Sequence, residues 1–333
     1  MTVSVGTLPL HALAPAKINL GLFVGPTRAD GRHELTTVMQ SISLADELTL
    51  QAAPDPGATG GDVVVCPGLG DPPTPPAPPT TPALPTPPTE NLAAAALAAF
   101  RAATGWDAPP LQLHIVKRVP VAAGLGGGSG DAAATLRLAA AASGLGDYDL
   151  LEEIARTLGA DVPAQVQPGR WLARGAGEEL EGLPDPVVPL GVLVLPVSHP
   201  LSTPAVYAQA DRVGSARERA ELEDAHRGLA DALADGSPLP SLELLRNDLE
   251  GAARALCPEI DVALGEVRET DPDAALVSGS GPTVLGLFAG SRGPARARAG
   301  ARALAERLPA PLAADAVGRD FAGVTPATRL PAG

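Results

Sequence analysis

Residues 120–131 read PVAAGLGGGSGD, and this glycine-rich stretch decides how the rest of the chain is interpreted. A strand-like segment precedes it, and the alanine-rich segment from Asp131 to Ala142 is typical of a helix. Glycines dominate residues 124–130, so few Cβ atoms block a close approach to the backbone. Because free N–H groups and the dipole at a helix N-terminus favour anions, the stretch predicts a phosphate cradle. The predicted cradle comprises Pro120, Val121, Ala122, Ala123, Gly124, Leu125, Gly126, Gly127, Gly128, Ser129 and Gly130.

The same stretch does not match two common nucleotide-binding signatures. It lacks the Lys-Ser/Thr pair of a Walker A loop, and its glycines do not have the spacing of a dinucleotide fingerprint. A flexible linker is the alternative interpretation, but linkers seldom run directly into a capped helix. The local pattern therefore favours an anion site and disfavours a nucleotide-dependent dehydrogenase.

Three further passages place polar groups where they have either a structural or a chemical role. Asp161, in LGADVP (158–163), follows a predicted helix, where carboxylates commonly satisfy backbone groups. Lys17 lies in the apolar segment APAKINL (14–20) and must reach either solvent or an anion. The turn SGSGPT (278–283) fits a tight hairpin or a second glycine wall of a ligand cleft. Local chemistry favours the structural role for Asp161, balances the two roles for Lys17 and leaves the turn undecided.

The charge composition limits the kinds of partner. A formal net charge of −14 argues against a nucleic-acid surface, which needs a basic patch. Of the 24 basic residues, only Lys17 and Lys117 are lysines. A lysine that persists against so strong an arginine bias indicates a place where a compact ammonium is needed, with chance survival as the alternative.

The length and the cysteines give broad expectations about class and compartment. A chain of 333 residues with 45% hydrophobic residues suggests two packed domains. No apolar run approaches the length of a membrane span, and the N-terminal residues do not resemble a signal peptide. Cys66 and Cys257 follow no metal or redox spacing. We therefore expect a cytoplasmic protein with reduced thiols, no membrane or nucleic-acid partner and an oligomeric state that the sequence does not indicate.

The apolar periodicity mixes strands and helices in both halves, which indicates an α+β fold with a boundary between residues 165 and 190. Strands are predicted at 14–24, 35–50, 111–116, 187–197, 274–277 and 284–288, and helices at 91–103, 131–142, 150–158, 215–234, 258–270 and 294–307. Residues 71–88, DPPTPPAPPTTPALPTPP, hold too many prolines to join a helix or an inner strand. This segment is predicted to be an exposed loop or spacer.

Together these passages resemble the GHMP kinase superfamily. The resemblance rests on three motifs in order: a strand with Pro15 and Asn19, the glycine-serine loop and the late SGSG turn. The passages that carry it are AKINLGL, RADGRHEL, ENLAAAA, VKRVPVAAGLGGGSGDAAA, LGADVP, NDLE and SGSGPTV. Every asparagine and lysine of the chain falls within them, which makes the resemblance specific. Residues 71–88 lie outside the family pattern, as an insertion.

The resemblance implies a small-molecule kinase with ATP and Mg²⁺ and with the active site in a cleft between two domains. It implies an N-terminal ATP-binding domain over residues 1–168 and a ferredoxin-like C-terminal domain over residues 169–325. Asp161 is expected to accept or orient the proton of the acceptor hydroxyl, and Lys17 to offset developing negative charge. Positioning and charge stabilisation of this kind supply most of the catalysis in phosphoryl transfer.

Within the superfamily, the chain is most similar to the kinases of non-mevalonate isoprenoid precursor biosynthesis. This implies that the acceptor is the 2-hydroxyl of a cytidylyl diphosphate ester of methylerythritol. The resemblance places Asn91 and Lys117 near the nucleoside of ATP and leaves the protein ligands of Mg²⁺ unknown. The residues that it places at the substrate are Asn19, Arg32, His33 and Tyr207, the last two at the cytosine end.

Two positions depart from the family pattern. Two other functions on the same fold are also considered. Gly130 stands where the family usually has a second serine, which removes one hydroxyl from the loop. Arg32 stands where the family often has a tyrosine, although a guanidinium plane also stacks on bases. A GHMP kinase for homoserine or mevalonate would share the loop but not RADGRHEL or LGADVP. A non-catalytic ATP sensor is disfavoured because Lys17 and Asp161 are both present.

Overall fold

The computed structural model describes residues 7–54, 61–66, 91–199 and 201–327. Residues 71–88 lie outside these ranges, so their interpretation as an exposed loop stays a prediction. Two β-sheets with helices packed against them make up the described chain. This arrangement confirms the predicted α+β class.

The larger sheet is built around a long antiparallel hairpin. Its strands are β1 (Leu10–Thr27), β2 (His33–Ala52), β3 (Val63–Val65), β4 (Leu111–Val116), β5 (Arg170–Gly175), β6 (Glu179–Leu183) and β11 (Thr325–Pro326). The strand order is β11-β1-β2-β4-β3, with β5 paired to β2 and β6 paired to β5. The hairpin of β1 and β2 therefore runs through the centre of the sheet and carries two of the motifs predicted from the sequence.

Irregularities interrupt β1 on both sides of the segment that carries Lys17 and Asn19. The pairing of β1 with β2 shifts register just before Lys17 and again just after Asn19. Gly21, at the second shift, has a φ of +114°. A Cβ atom there would lie 2.7 Å from the carbonyl oxygen of Leu244, so the position requires glycine. Such irregularities commonly re-aim side chains beside active sites.

Four helices pack with the larger sheet around one core. They are α1 (Leu92–Thr104), α2 (Gly127–Ser143), α3 (Tyr148–Leu158) and α4 (Pro163–Val166). Asn91 caps α1 by accepting a hydrogen bond from the Ala93 N–H at 2.9 Å, and Asp147 caps α3 in the same way. Most of the alanines of α2 are buried and allow close packing. The backbone N–H of Lys17 donates to the Leu125 carbonyl at 2.9 Å, which joins β1 to the residues just before α2.

The smaller sheet and its helices form the second half of the fold. Its strands are β7 (Leu190–Leu195), β8 (Ala274–Val277), β9 (Val284–Ala289) and β10 (Leu312–Asp315), in the order β10-β7-β9-β8. The helices in this part of the chain are α5 (Thr203–Val213), α6 (Arg219–Leu233), α7 (Glu250–Leu256), α8 (Glu259–Arg268) and α9 (Gly293–Ala305), followed by a 3₁₀ turn (Arg319–Ala322). Of these, α6 packs against β1, β2 and β5 of the larger sheet. None of the helices in the described ranges is both long enough and apolar enough to cross a lipid bilayer.

Strands β5 and β6 were not predicted from the sequence. The reason is visible at Arg170, a buried charged residue at the start of β5 that breaks the apolar pattern. Its guanidinium donates to the Gln40 side chain at 2.7 Å and to the carbonyls of Ser237 and Pro238. Both strands follow the predicted domain boundary at 168/169 yet belong to the larger sheet. The two sheets therefore divide between β6 and β7, while the domain boundary itself stays a prediction.

Candidate active site

Two cavities meet at the glycine loop, defined here as residues 120–130. The larger, of about 710 Å³, is lined by Lys17, Asn19, Arg32, His33, Asp161 and Tyr207 among others. The smaller, of about 430 Å³, is lined by Asn91, Lys117, Asp131 and residues 120–129. Gly124, Gly126 and Ser129 line both cavities. The residues predicted at the nucleotide and those predicted at the acceptor thus lie on opposite sides of the predicted phosphate cradle.

Lys17 and Asp161 lie together at this junction. The Lys17 Nζ is 3.3 Å from Asp161 Oδ2 and donates to Asn19 Oδ1 at 3.1 Å. The Lys17 side chain is 8% exposed, whereas that of Asp161 is 36% exposed. The Lys17 ammonium is therefore held by the buried Asn19 side chain, whereas the Asp161 carboxylate remains open to the larger cavity. A carboxylate so placed can accept a hydrogen bond from a bound hydroxyl while the ammonium faces an incoming anion.

A chain of hydrogen bonds fixes the orientation of Lys17. The Asn19 Nδ2 donates to Thr37 Oγ1 at 2.9 Å, and the Thr37 hydroxyl donates to the Gly21 carbonyl at 2.6 Å. All three side chains are buried, so the network is shielded from competing water. Asn19, predicted at the substrate, thus also positions the lysine.

The glycine loop presents an open helix N-terminus to both cavities. Gly126 is the N-cap of α2, with a left-handed φ of 68°, and no side chain accepts from the free N–H groups of the first turn. A Cβ atom at Gly124 would lie 2.7 Å from the carbonyl oxygen of Ser278, so the loop packs directly on the 278–283 turn. At Gly128 the nearest atom to an added Cβ would be Leu92 Cδ1, at 3.8 Å. The first turn of α2 therefore has unsatisfied donors with free space in front of them.

Lys117 belongs to a buried cluster of three charges that holds both ends of the glycine loop. Its Nζ donates to Asp46 and, at 2.7 Å, to Asp131. Asp46 also accepts from the backbone N–H groups of Arg118 at 2.6 Å and Val119 at 2.8 Å. Lys117 precedes the loop and Asp131 follows it, so Asp46 on β2 ties both ends to the larger sheet.

The electrostatics of this cluster are governed by burial and charge pairing. Burial alone would lower the pKa of Lys117, but the Asp131 and Asp46 carboxylates outweigh it and the net shift is upward. Burial raises the pKa of Asp131, an effect that the Lys117 charge opposes. Asp131 Oδ1 is buried and has no hydrogen-bond partner among the described residues. Lys117 is thus the sole cation that compensates two buried carboxylates in this part of the described structure.

We expect Lys117→Met to lower the free energy of unfolding by about 3–5 kcal/mol, because it leaves the Asp46 and Asp131 carboxylates buried without a countercharge. Urea unfolding followed by circular dichroism measures the change. The neighbouring Arg118→Met is the control, because Arg118 makes an exposed pair with Glu47 that should contribute at most about 1 kcal/mol. Adding Asp131→Asn to Lys117→Met should recover part of the loss. A Lys117→Met protein as stable as Arg118→Met would contradict this account.

His33, Tyr207 and Asp211 form a connected group in the larger cavity. The His33 Nε2 lies 2.7 Å from Asp211 Oδ1 and 3.1 Å from Thr27 Oγ1. The rings of His33 and Tyr207 are 5.0 Å apart between centroids, at an angle of 31°. Burial, with a smaller contribution from the Asp161 charge, raises the pKa of Tyr207 to about 12. Its hydroxyl therefore stays protonated at neutral pH and can donate a hydrogen bond.

Several residues that position the site were not predicted from the sequence. Gln165 Nε2 donates to the Gly126 carbonyl at 2.9 Å, and Asn247 Nδ2 donates to the carbonyls of Val277 and Gly279. Asn247 therefore supports the 278–283 turn, a role that the rarity of asparagine in this chain could have indicated. The side chains of Gln165, Asp46 and Asp211 carry no comparable signal, because their partners lie far away in sequence.

The structure places Gly130 differently from the other residues of the predicted cradle. It lines neither cavity. A Cβ atom there would lie 3.1 Å from both the Pro15 carbonyl oxygen and Gln165 Oε1, so the position faces β1 and α4. The departure from serine to glycine at this position accordingly removes no hydroxyl from the walls of either cavity.

The chain is similar in sequence to known proteins over most of its length. The family model "GHMP kinases N terminal domain" matches residues 91–169, and "GHMP kinases C terminal" matches residues 229–310. The chain is 40% identical over 299 residues to 4-diphosphocytidyl-2-C-methyl-D-erythritol kinase of Anaeromyxobacter sp. (strain K), covering 87% of this chain and 84% of that protein. It is 38% identical over 281 residues to the protein of the same name from Streptomyces coelicolor, covering 84% and 87%.

Solved structures extend the comparison to the fold. A crystal structure of 4-(cytidine 5'-diphospho)-2C-methyl-D-erythritol kinase superposes with a TM-score of 0.69 at 33% identity, covering 92% of this chain and 100% of that one. A homoserine kinase from Cytophaga hutchinsonii superposes with a TM-score of 0.66 at 14% identity, covering 95% and 96%. At so low an identity, the second likeness concerns the fold alone.

Proposed function

The chain belongs to the GHMP kinase family, and on that premise we propose that it transfers the γ-phosphoryl group of ATP to the 2-hydroxyl of 4-diphosphocytidyl-2-C-methyl-D-erythritol. Family membership makes it a small-molecule kinase, and the names of its relatives indicate the substrate and a place in isoprenoid precursor biosynthesis. One observation carries the assignment of the chemistry. The Lys17–Asp161 pair lies where the two cavities meet at an uncapped helix N-terminus.

The residues present fit a bound triphosphate in the smaller cavity. The free N–H groups at the start of α2 and the open space at Gly128 suit phosphate oxygens. The Mg²⁺ ion that accompanies the triphosphate would be held chiefly by phosphate oxygens and water. When bound, Mg²⁺ would neutralise charge that develops on the transferred group. We assign no protein ligand to it.

Asp161 and Lys17 have different roles at the acceptor hydroxyl. Asp161 accepts the hydrogen bond of the 2-hydroxyl and aligns its oxygen with the γ-phosphorus. Lys17, fixed by Asn19, faces the phosphoryl oxygens and stabilises the negative charge that they carry in the transition state. Both groups are positioned before the substrates bind, so little reorganisation is required during transfer.

We place the reaction in the cytoplasm. Cys66 and Cys257 are both free thiols, as expected in a reducing compartment. This assignment rests on the thiols.

An ADP-release assay with the purified chain tests the proposed function. The acceptors to compare are 4-diphosphocytidyl-2-C-methyl-D-erythritol, homoserine and mevalonate, each with saturating Mg²⁺-ATP. We expect kcat/KM for the cytidylyl substrate to exceed the other two values by about 10⁴-fold, because unmet hydrogen-bonding groups penalise the wrong acceptor. Equal or faster turnover of homoserine or mevalonate would overturn the substrate assignment.

Arg32→Ala should raise the KM for the cytidylyl substrate by about 10–100-fold and leave the KM for ATP unchanged. The Arg32 guanidinium lines the larger cavity, is 54% exposed and donates to Asp30 Oδ2 at 3.1 and 3.0 Å. It is held where it can pair with a substrate diphosphate, and a charge-assisted hydrogen bond contributes about 1.5–3 kcal/mol. Steady-state kinetics with each substrate varied in turn measures the effect.

One further variant separates the two possible roles of Arg32, a second tests Tyr207, and a third provides the control. Arg32→Tyr should keep most activity if stacking on the base dominates and lose affinity if pairing with the diphosphate does. Tyr207→Ala should raise the KM for the cytidylyl substrate and leave the KM for ATP unchanged. The control Arg227→Ala removes an exposed arginine that lines neither cavity. Unchanged KM values in both Arg32→Ala and Tyr207→Ala would favour another alcohol as substrate.

A further inference from the structure

Three side chains with metal-binding atoms converge outside both active-site cavities. His199 follows β7, Cys257 follows the last residue of α7 and Glu259 begins α8. The Cys257 Sγ is 3.4 Å from Glu259 Oε2, and the His199 Nδ1 is 3.8 Å from Glu259 Oε1. The three ligand atoms lie within 4.8 Å of one another. The sequence shows only the neighbouring Cys257 and Glu259, because His199 comes from a distant segment of the chain.

The spacing suits a small tetrahedral cation. Zinc lies about 2.3 Å from a cysteine sulfur and about 2.0–2.2 Å from histidine nitrogen or carboxylate oxygen, so tetrahedral ligands are about 3.4–3.6 Å apart. The separations of 3.4 Å from Cys257 Sγ to Glu259 Oε2 and 3.8 Å from His199 Nδ1 to Glu259 Oε1 are close to that range, although they involve different oxygens of the carboxylate. One ligand atom from each of the three residues lies within 4.8 Å of the other two. A thiolate, an imidazole and a carboxylate together select a borderline-soft divalent ion over Mg²⁺ or Ca²⁺, which prefer all-oxygen sites.

We propose that His199, Cys257 and Glu259 bind one divalent cation of the Zn²⁺ class, with a fourth position left for water. Cys257 is fully buried, whereas the side chains of His199 and Glu259 are 44% and 59% exposed. The cation can reach the site past the exposed His199 and Glu259 side chains. The buried Cys257 sulfur is a ligand with a fixed position. Without the cation the Cys257 thiol keeps its proton and donates a hydrogen bond to Glu259 Oε2. Binding releases that proton to solvent, and the thiolate becomes the ligand.

A bound cation would connect elements that lie near one wall of the larger cavity. His199 lies shortly before α5, the helix that carries Tyr207 and Asp211 into the larger cavity. Cys257 and Glu259 lie at the junction of α7 and α8. A cation bound by all three would therefore join the segment that leads into α5 to this junction.

Metal titration of the full chain, first stripped with a chelator and kept free of ATP, tests the site. We expect one equivalent of Zn²⁺ to bind in competition with a chromophoric chelator. Co²⁺, used as a spectroscopic probe, should give a thiolate-to-metal charge-transfer band in the near ultraviolet. Cys257→Ser should abolish the band, whereas Cys66→Ser, which removes the other thiol of the chain, should retain it.

His199→Ala and Glu259→Gln provide an independent test on exposed positions where folding is not at risk. Each substitution should lower the affinity for Zn²⁺. Loss of an outer-shell partner of a metal ligand lowers affinity by about 10–100-fold, and loss of a ligand should lower it further. These two variants decide the matter if circular dichroism shows that Cys257→Ser is misfolded. The proposal is overturned if wild-type protein shows no thiolate band, if folded Cys257→Ser keeps it, or if both exposed variants bind Zn²⁺ as tightly as wild type.

Discussion

Asp161→Asn is expected to lower kcat by about 10²–10⁴-fold while ATP binding is retained, since this is the range that a positioned acid–base group contributes. The carboxylate is the group at the junction that can accept the hydroxyl proton, and an amide of the same shape cannot take it. The Asp161 side chain lines the larger cavity but not the smaller one, so the nucleotide should not sense the change. Single-turnover phosphoryl transfer and calorimetric titration with ATP measure the two effects separately.

Asp149→Asn is the matched control for this prediction. Asp149 is exposed in the first turn of α3, the helix that leads to Asp161, and lines neither cavity. Its replacement should leave kcat within a factor of two or so, since a charge at a helix end contributes only about 0.3–1 kcal/mol to stability. Lys17→Arg should also be slow, because a planar fork does not fit the packed position between Asn19 and Asp161. Near-normal turnover by Asp161→Asn would refute the proposed role.

Gly128→Val is expected to abolish measurable ATP binding without unfolding the protein. A Cβ atom at this position meets only Leu92 Cδ1, at 3.8 Å, so the backbone can carry a side chain there without a clash at its first atom. Its methyl groups then occupy the space in front of the α2 N-terminus, where the phosphates must approach the N–H groups. Valine also has no worse helix propensity than glycine, which removes a conformational explanation for any loss. Calorimetric titration with ATP and far-ultraviolet circular dichroism on the same sample measure both outcomes.

Gly251→Val is a close control, because Gly251 is also the second residue of its helix, α7, and has no atom within 4 Å of an added Cβ. It should bind ATP like wild type. Gly126 would be a poorer test, since its φ of +68° and the nearby Lys17 would strain any side chain. Tight ATP binding by a folded Gly128→Val protein would rule out the glycine loop as the phosphate cradle.

The sequence by itself was enough to determine the family and the α+β class. The class follows from the apolar periodicity, and the family follows from the resemblance carried by the strand with Asn19, the glycine-serine loop and the late SGSG turn. Each pattern spans a few turns or one strand, so the backbone geometry that it requires is encoded within the segment itself. The resemblance then paired Lys17 with Asp161, and the structure brings them to 3.3 Å. Their catalytic roles stay proposals until the variants are measured.

Only the tertiary structure decided which polar groups meet across the fold. Asp46 binds Lys117 and the backbone beside it, the buried Arg170 places β5 in the larger sheet, and Gly130 faces β1 instead of the cavities. His199 likewise reaches Cys257 only when the smaller sheet and its helices have packed. A buried charge or donor is tolerated where a distant partner compensates it, and that partner is set by strand register and helix packing. Such compensation leaves no periodic mark along the chain, so these contacts could not be predicted from the sequence.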